Sequence, residues 1–105
     1  NEKLSNKFWA TASIMAAYYE ILNVSSNWLI KKGINKTTAN NYISELFFSL
    51  SQDAVNKKSQ GFKKLVADSQ TPKGLNMQVL NELKRGKFYT KFIKAMDNIN
   101  KRVSS

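Results

Sequence analysis

Apolar positions recur at steps of three and four along nearly the whole chain, the spacing of one face of an α-helix. The first stretch carries two such stripes. One is Leu4, Phe8, Thr11, Ala12, Met15, Tyr19, Leu22, Ser26 and Leu29; the other is Ile14, Ala17, Ile21, Val24 and Trp28. Together they predict one long helix, capped by Ser5 or Asn6 and running to about Lys32, with residues 1–3 frayed. Gly33 is its expected left-handed stop, with two lysines on the last turn. A helix apolar on two sides cannot bury both against the rest of so short a chain. One side is therefore expected to meet a partner subunit, through Phe8, Met15, Tyr19, Leu22, Ile14, Ile21 and Trp28.

Asn35 is the expected N-cap of a second helix over residues 36–56, with Ala39, Tyr42, Ile43, Leu46, Phe47, Leu50 and Ala54 on one face and Phe48 off it. After a polar connector over 57–61, residues 62–69 predict a short helix carrying Phe62, Leu65 and Val66. Residues 75–85 predict another, burying Leu75, Val79, Leu80 and Leu83 and ending at Gly86. Residues 87–102 predict the last, with Phe88, Phe92, Met96, Ile99 and Val103 on one face as core, and residues 103–105 frayed. No strand pattern appears. The expected fold class is all-α, a bundle of about five helices forming a single domain over residues 1–105.

Composition narrows the chemistry. Of 105 residues 42% are hydrophobic, too many for a disordered tail and enough for one modest core. The chain has no cysteine and no histidine, which removes thiol chemistry, disulfides, the commonest metal ligands and the usual general base. No metal site is expected and no catalytic residue is assigned. No glycine-rich phosphate loop exists, because Gly33, Gly61, Gly74 and Gly86 lie far apart. Serines are plentiful but lack a conventional activating base. No apolar run approaches a membrane span, so no membrane partner is expected.

The net charge is +10, from 17 Lys and Arg against 7 Asp and Glu. Such a balance suits nucleic acid or an acidic partner. The basic residues are spread along the chain, however, and nearly all are lysine. That favours solvated helix faces over a nucleic-acid footprint.

The segment Thr71-Pro72-Lys73-Gly74-Leu75-Asn76-Met77-Gln78 holds the only proline and one of four glycines. A fixed φ followed by a permissive residue predicts a tight turn at the start of a helix. Backbone N–H groups at a helix start suit a carboxylate or phosphate, and the side chains of Thr71 and Asn76 add hydrogen-bonding groups. A plain helix–helix connector is the competing reading of the same spacing.

The order of these pieces resembles the C-terminal dimerisation domain of pyrroline-5-carboxylate reductases and their relatives. It is most similar to a divergent branch that carries a Thr-Pro-Gly-Gly-Leu-Asn-x-Gln segment, read here at residues 71–78. Phe8-Trp9-Ala10, Tyr18-Tyr19, Leu80 and Leu83 add to the resemblance, which spans residues 8–103. It implies an intertwined homodimer, and a parent protein whose separate N-terminal Rossmann domain binds NAD(P)H. It also implies a small carboxylate substrate held by Thr71, Gly74, Leu75 and Asn76. The parent would be a cytoplasmic NAD(P)H-dependent reductase acting on a cyclic imine carboxylate, as in proline biosynthesis. This chain alone would bind no cofactor and be inactive.

Three departures stand out. Lys73 replaces the first of the paired glycines. The family's Ser-Gly-Pro-Ala stretch falls at Ser13-Ile14-Met15-Ala16, where loss of Gly and Pro predicts an uninterrupted helix. The family's proton-donating hydroxyl aligns near Trp9, which has none. Two further readings therefore stand beside the reductase domain: a non-catalytic structural dimeriser, and a stand-alone basic module for nucleic acid or an acidic partner.

Overall fold

The computed structural model describes residues 1–71 and 73–104. Their elements are α1 (Glu2–Ala12), α2 (Met15–Lys31), α3 (Lys36–Lys57), a 3-10 turn (Lys58–Gln60), α4 (Phe62–Asp68), α5 (Leu75–Arg85) and α6 (Phe88–Ser104), with no strand among the described residues. The chain is all-α. It divides into two compact units, Asn1–Ala16 with Gln70–Ser105, and Ala17–Ser69.

In the first unit α6 packs against both α1 and α5. Asn1 caps α1, its Oδ1 accepting from the Leu4 N–H at 2.9 Å, so the helix begins earlier than the expected cap at Ser5 or Asn6. Residues 2 and 3 are helical rather than frayed, because one side-chain oxygen satisfies an orphan donor of the first turn. At the other end α6 continues through Val103 to Ser104, two residues past the expected end. Near there the Asn6 amide donates to Ser104 Oγ at 3.3 Å. Ala10 is buried.

The expected single long helix is broken at Ser13 and Ile14. Both the backbone N–H and the hydroxyl of Ser13 donate to the Trp9 carbonyl, at 3.0 and 2.8 Å. Its ψ of 8° leaves the helical value, and a regular helix resumes only at Met15. Serine competes with the helix ladder by such local bonding, and back-bonded serines bend helices. The break falls in the Ser13–Ala16 stretch, where an uninterrupted helix was expected.

In the second unit α2 ends in a Schellman motif. The Ile34 N–H reaches Leu29 O at 3.1 Å and the Gly33 N–H reaches Ile30 O at 3.1 Å. Gly33 adopts φ 100°, which glycine takes without a Cβ penalty. Asn35 caps α3 as expected, accepting from the Thr38 N–H at 2.8 Å. Tyr18 of α2 meets Phe47 of α3 edge-on, with ring centroids 6.1 Å apart. Ser26 of α2 donates to Asn40 Oδ1 of α3 at 2.5 Å.

The expected core is sparse. Ala10, Ala39 and Ile43 are the buried apolar residues among those described, and no large side chain is fully enclosed. Leu75, Val79 and Leu83, expected to be buried, are exposed, and Leu80 is half-buried. On α6 Phe92, Met96 and Ile99 are half-buried, while Phe88 and Val103 are exposed. The chain presents 8911 Å² of accessible surface. A folded monomer of this size presents about 6000 Å², and two separate bodies of half the size about 7200 Å² in all. The helical stripes read from the sequence exist, but this chain leaves much of them uncovered.

Candidate functional site

The turn before α5 is built from backbone outward. The Gly74 N–H donates to Thr71 O at 3.0 Å, closing a four-residue turn. Gly74 takes φ 68° and ψ 22°, a left-handed conformation that disfavours any residue with a side chain. Its carbonyl accepts from the Gln78 N–H at 2.9 Å, the first rung of α5. Pro72 lies outside the described residues.

Thr71 has a role the sequence did not disclose. Its Oγ1 accepts from the Leu75 N–H at 2.9 Å, so it satisfies one of the orphan donors at the start of α5. A threonine hydroxyl can donate as well as accept. The structure thus brings Thr71, Gly74 and Leu75 together in one hydrogen-bonded unit, with Asn76 next in the first turn. Thr71 and Gly74 are half-buried, Leu75 and Asn76 exposed. No acid occupies the first turn of α5, and Lys73 stands beside its positive end. Helix dipole and ammonium group add in sign, so the local field favours an anion.

The residues expected at a partner interface are surface-lying in both units. In the first, Phe8, Ile14 and Met15 are exposed. In the second, Tyr19 and Trp28 are exposed, while Ile21 and Leu22 are half-buried. Lys32 covers one face of Trp28, its ammonium 5.4 Å from the ring centroid. Trp9 was not expected in this set because it follows Phe8 directly and lies off the three-and-four stripe. It is 65% exposed, as is Phe8, and with Ser5 and Ala12 the two line an apolar hollow on α1. In the second unit a groove is lined by Tyr19, Leu22, Asn23, Ser26, Asn40 and Ile43 among others.

Among the described residues no three acidic, histidine or cysteine groups lie close enough to hold a metal ion. No helix among them is long and apolar enough to cross a membrane. Gly33, Gly61, Gly74 and Gly86 sit in four separate connections between helices.

A search of the curated proteins finds no significant match, and neither does a search of the solved structures. The family model described as pyrroline-5-carboxylate reductase dimerisation matches residues 2–105. The chain belongs to the pyrroline-5-carboxylate reductase dimerisation family.

Proposed function

We propose that this chain is the dimerisation and substrate-binding part of an NAD(P)H-dependent reductase resembling pyrroline-5-carboxylate reductase. The observation that carries the reading is the family match over residues 2–105 in a chain whose α1 and α2 expose Phe8, Met15, Tyr19 and Trp28. Two copies of the chain pair through faces that include Phe8, Ile14, Met15, Tyr19, Ile21, Leu22 and Trp28. Burying such residues contributes about 1.5–3 kcal/mol each, which compensates for the missing core.

In this reading the substrate is a small cyclic imine carboxylate. Thr71 donates its hydroxyl hydrogen to the carboxylate, and Asn76 and the positive start of α5 help orient it. Gly74 keeps the turn in the left-handed conformation that places Thr71 over the helix start. NAD(P)H supplies the hydride and is held by another part of the parent protein, which acts in the cytoplasm. This chain orients the substrate and supplies the dimer.

The test is the solution mass of the chain, by light scattering behind a sizing column over a dilution series. A dimer that persists on dilution is expected. A well-folded monomer throughout would refute the pairing. Assay of the parent protein with NADPH and imine acids then separates a reductase from a dimeriser without activity.

A further inference from the structure

Lysines that are scattered along the sequence fall into line in the fold. Lys91, Lys94 and Lys101 occupy one face of α6, at steps of three and seven, and all three are exposed. Lys84 and Lys87 lie at the turn that leads into this helix. The opposite side of α6 carries Phe92, Met96 and Ile99, half-buried where the helix packs on α1 and α5. The basic face is therefore held outward by the packing of the apolar one.

The basic charge of this unit is largely unbalanced. Residues 1–16 and 70–105 hold ten Lys and Arg against three Asp and Glu. The five lysines named form no ion pair among the described residues, whereas Lys57 and Lys64 of the other unit pair with Asp53 and Asp68 at 3.1 and 2.6 Å. Asp97, the one acid on α6, lies at the edge of the basic face.

We infer that this face binds the phosphate backbone of a nucleic-acid duplex without regard to sequence. Three features select that partner among polyanions. Lys91 to Lys101 spans about 15 Å of helix axis, a line of point charges about four nucleotide steps long. Lysine neutralises phosphate as a point charge, whereas base readout favours arginine forks. The face carries no aromatic residue on which unpaired bases would stack, which favours duplex over single strand. This inference goes beyond the reductase reading and does not depend on it.

The experiment is fluorescence anisotropy of a labelled 20-base-pair DNA duplex titrated with the chain between 50 and 200 mM salt. Five phosphate contacts predict an affinity loss of about 500-fold over that range. A stripe variant, Lys91→Gln, Lys94→Gln and Lys101→Gln combined, is compared with a control of equal charge, Lys31→Gln, Lys58→Gln and Lys63→Gln combined. Circular dichroism confirms that both remain helical. The stripe variant is expected to lose about 40-fold of that salt dependence, and the control less than about 4-fold. Three results would overturn the inference: no binding at 50 mM salt, equal loss in the two variants, or binding to phosphatidylserine vesicles without binding to the duplex.

Discussion

Ser26 on α2 and Asn40 on α3 share a hydrogen bond of 2.5 Å, and Ser26 is the buried polar residue of the second unit. The sequence placed Ser26 in an apolar stripe, and its hydroxyl is tolerated there because Asn40 accepts from it. Asn40→Ala is expected to cost about 1–2 kcal/mol, since it strips a buried hydroxyl of its partner. Ser26→Ala is expected to cost about 0.5 kcal/mol, because the exposed Asn40 amide can turn to water. Urea unfolding at fixed chain concentration measures both. The double variant should be less destabilised than the sum of the two, and strict additivity would show that the pair does not act as a unit.

Gly86 and Lys87 have exchanged the roles their residue types suggest. Gly86 sits at φ −76°, while Lys87 takes φ 61°, the left-handed region where a side chain is strained. Lys87→Gly is expected to stabilise the chain by about 1 kcal/mol. A Cβ added at Gly86 would meet only Glu82 O at 3.5 Å and Leu83 O at 3.7 Å. Gly86→Ala should therefore be neutral or stabilise by about 0.5 kcal/mol. Thermal melts distinguish these outcomes from the reverse pattern, in which Gly86 is the sensitive position.

Thr71 joins local structure to the proposed substrate contact. Thr71→Val keeps the β-branched shape but removes the acceptor for the Leu75 N–H, and should cost about 1 kcal/mol. Thr71→Ser retains the oxygen and should lie close to the original. In the parent enzyme Thr71→Val is expected to raise KM as well. A stability loss with unchanged KM would leave Thr71 a helix cap alone.

Asn76 gives a cleaner kinetic test, as it lies in the first turn of α5 and outside the Thr71–Gly74 turn. Asn76→Ala in the parent protein should raise KM more than it lowers kcat, the signature of lost substrate binding. An unchanged KM would remove Asn76 from the site.

The apolar faces of α1 and α2 make the pairing testable by charge. Phe8→Asp and Trp28→Asp, made singly, should each weaken the dimer about 100-fold or more, since each would bury an unpaired carboxylate. Asn56→Asp, an exposed change on α3, serves as the control. Dilution series by light scattering read the shift. Equal masses for all three proteins would place the interface elsewhere.

Local signals were legible in the sequence wherever the deciding interaction lies within one turn. Asn35 caps α3 and Gly33 closes α2 because each needs only neighbours three to five residues away. The break at Ser13 was not legible, because Ser13 and Ile14 are both acceptable in a helix and only the competing bonds to Trp9 O mark the site. Thr71 was read as a ligand group, and its cap on Leu75 became visible only once the turn was folded. Gly86 drew attention by residue type, while the backbone put the left-handed step on Lys87.

By itself the sequence determined the all-α class, most helix bounds to within a few residues and the surplus of apolar faces, since all three follow from periodicity and capping chemistry that act over a few residues. Tertiary structure alone decided which stripes stay uncovered and which face of α6 is held outward. These depend on contacts between helices distant in the chain, and a pattern of three and four records that a face is apolar without naming what lies against it.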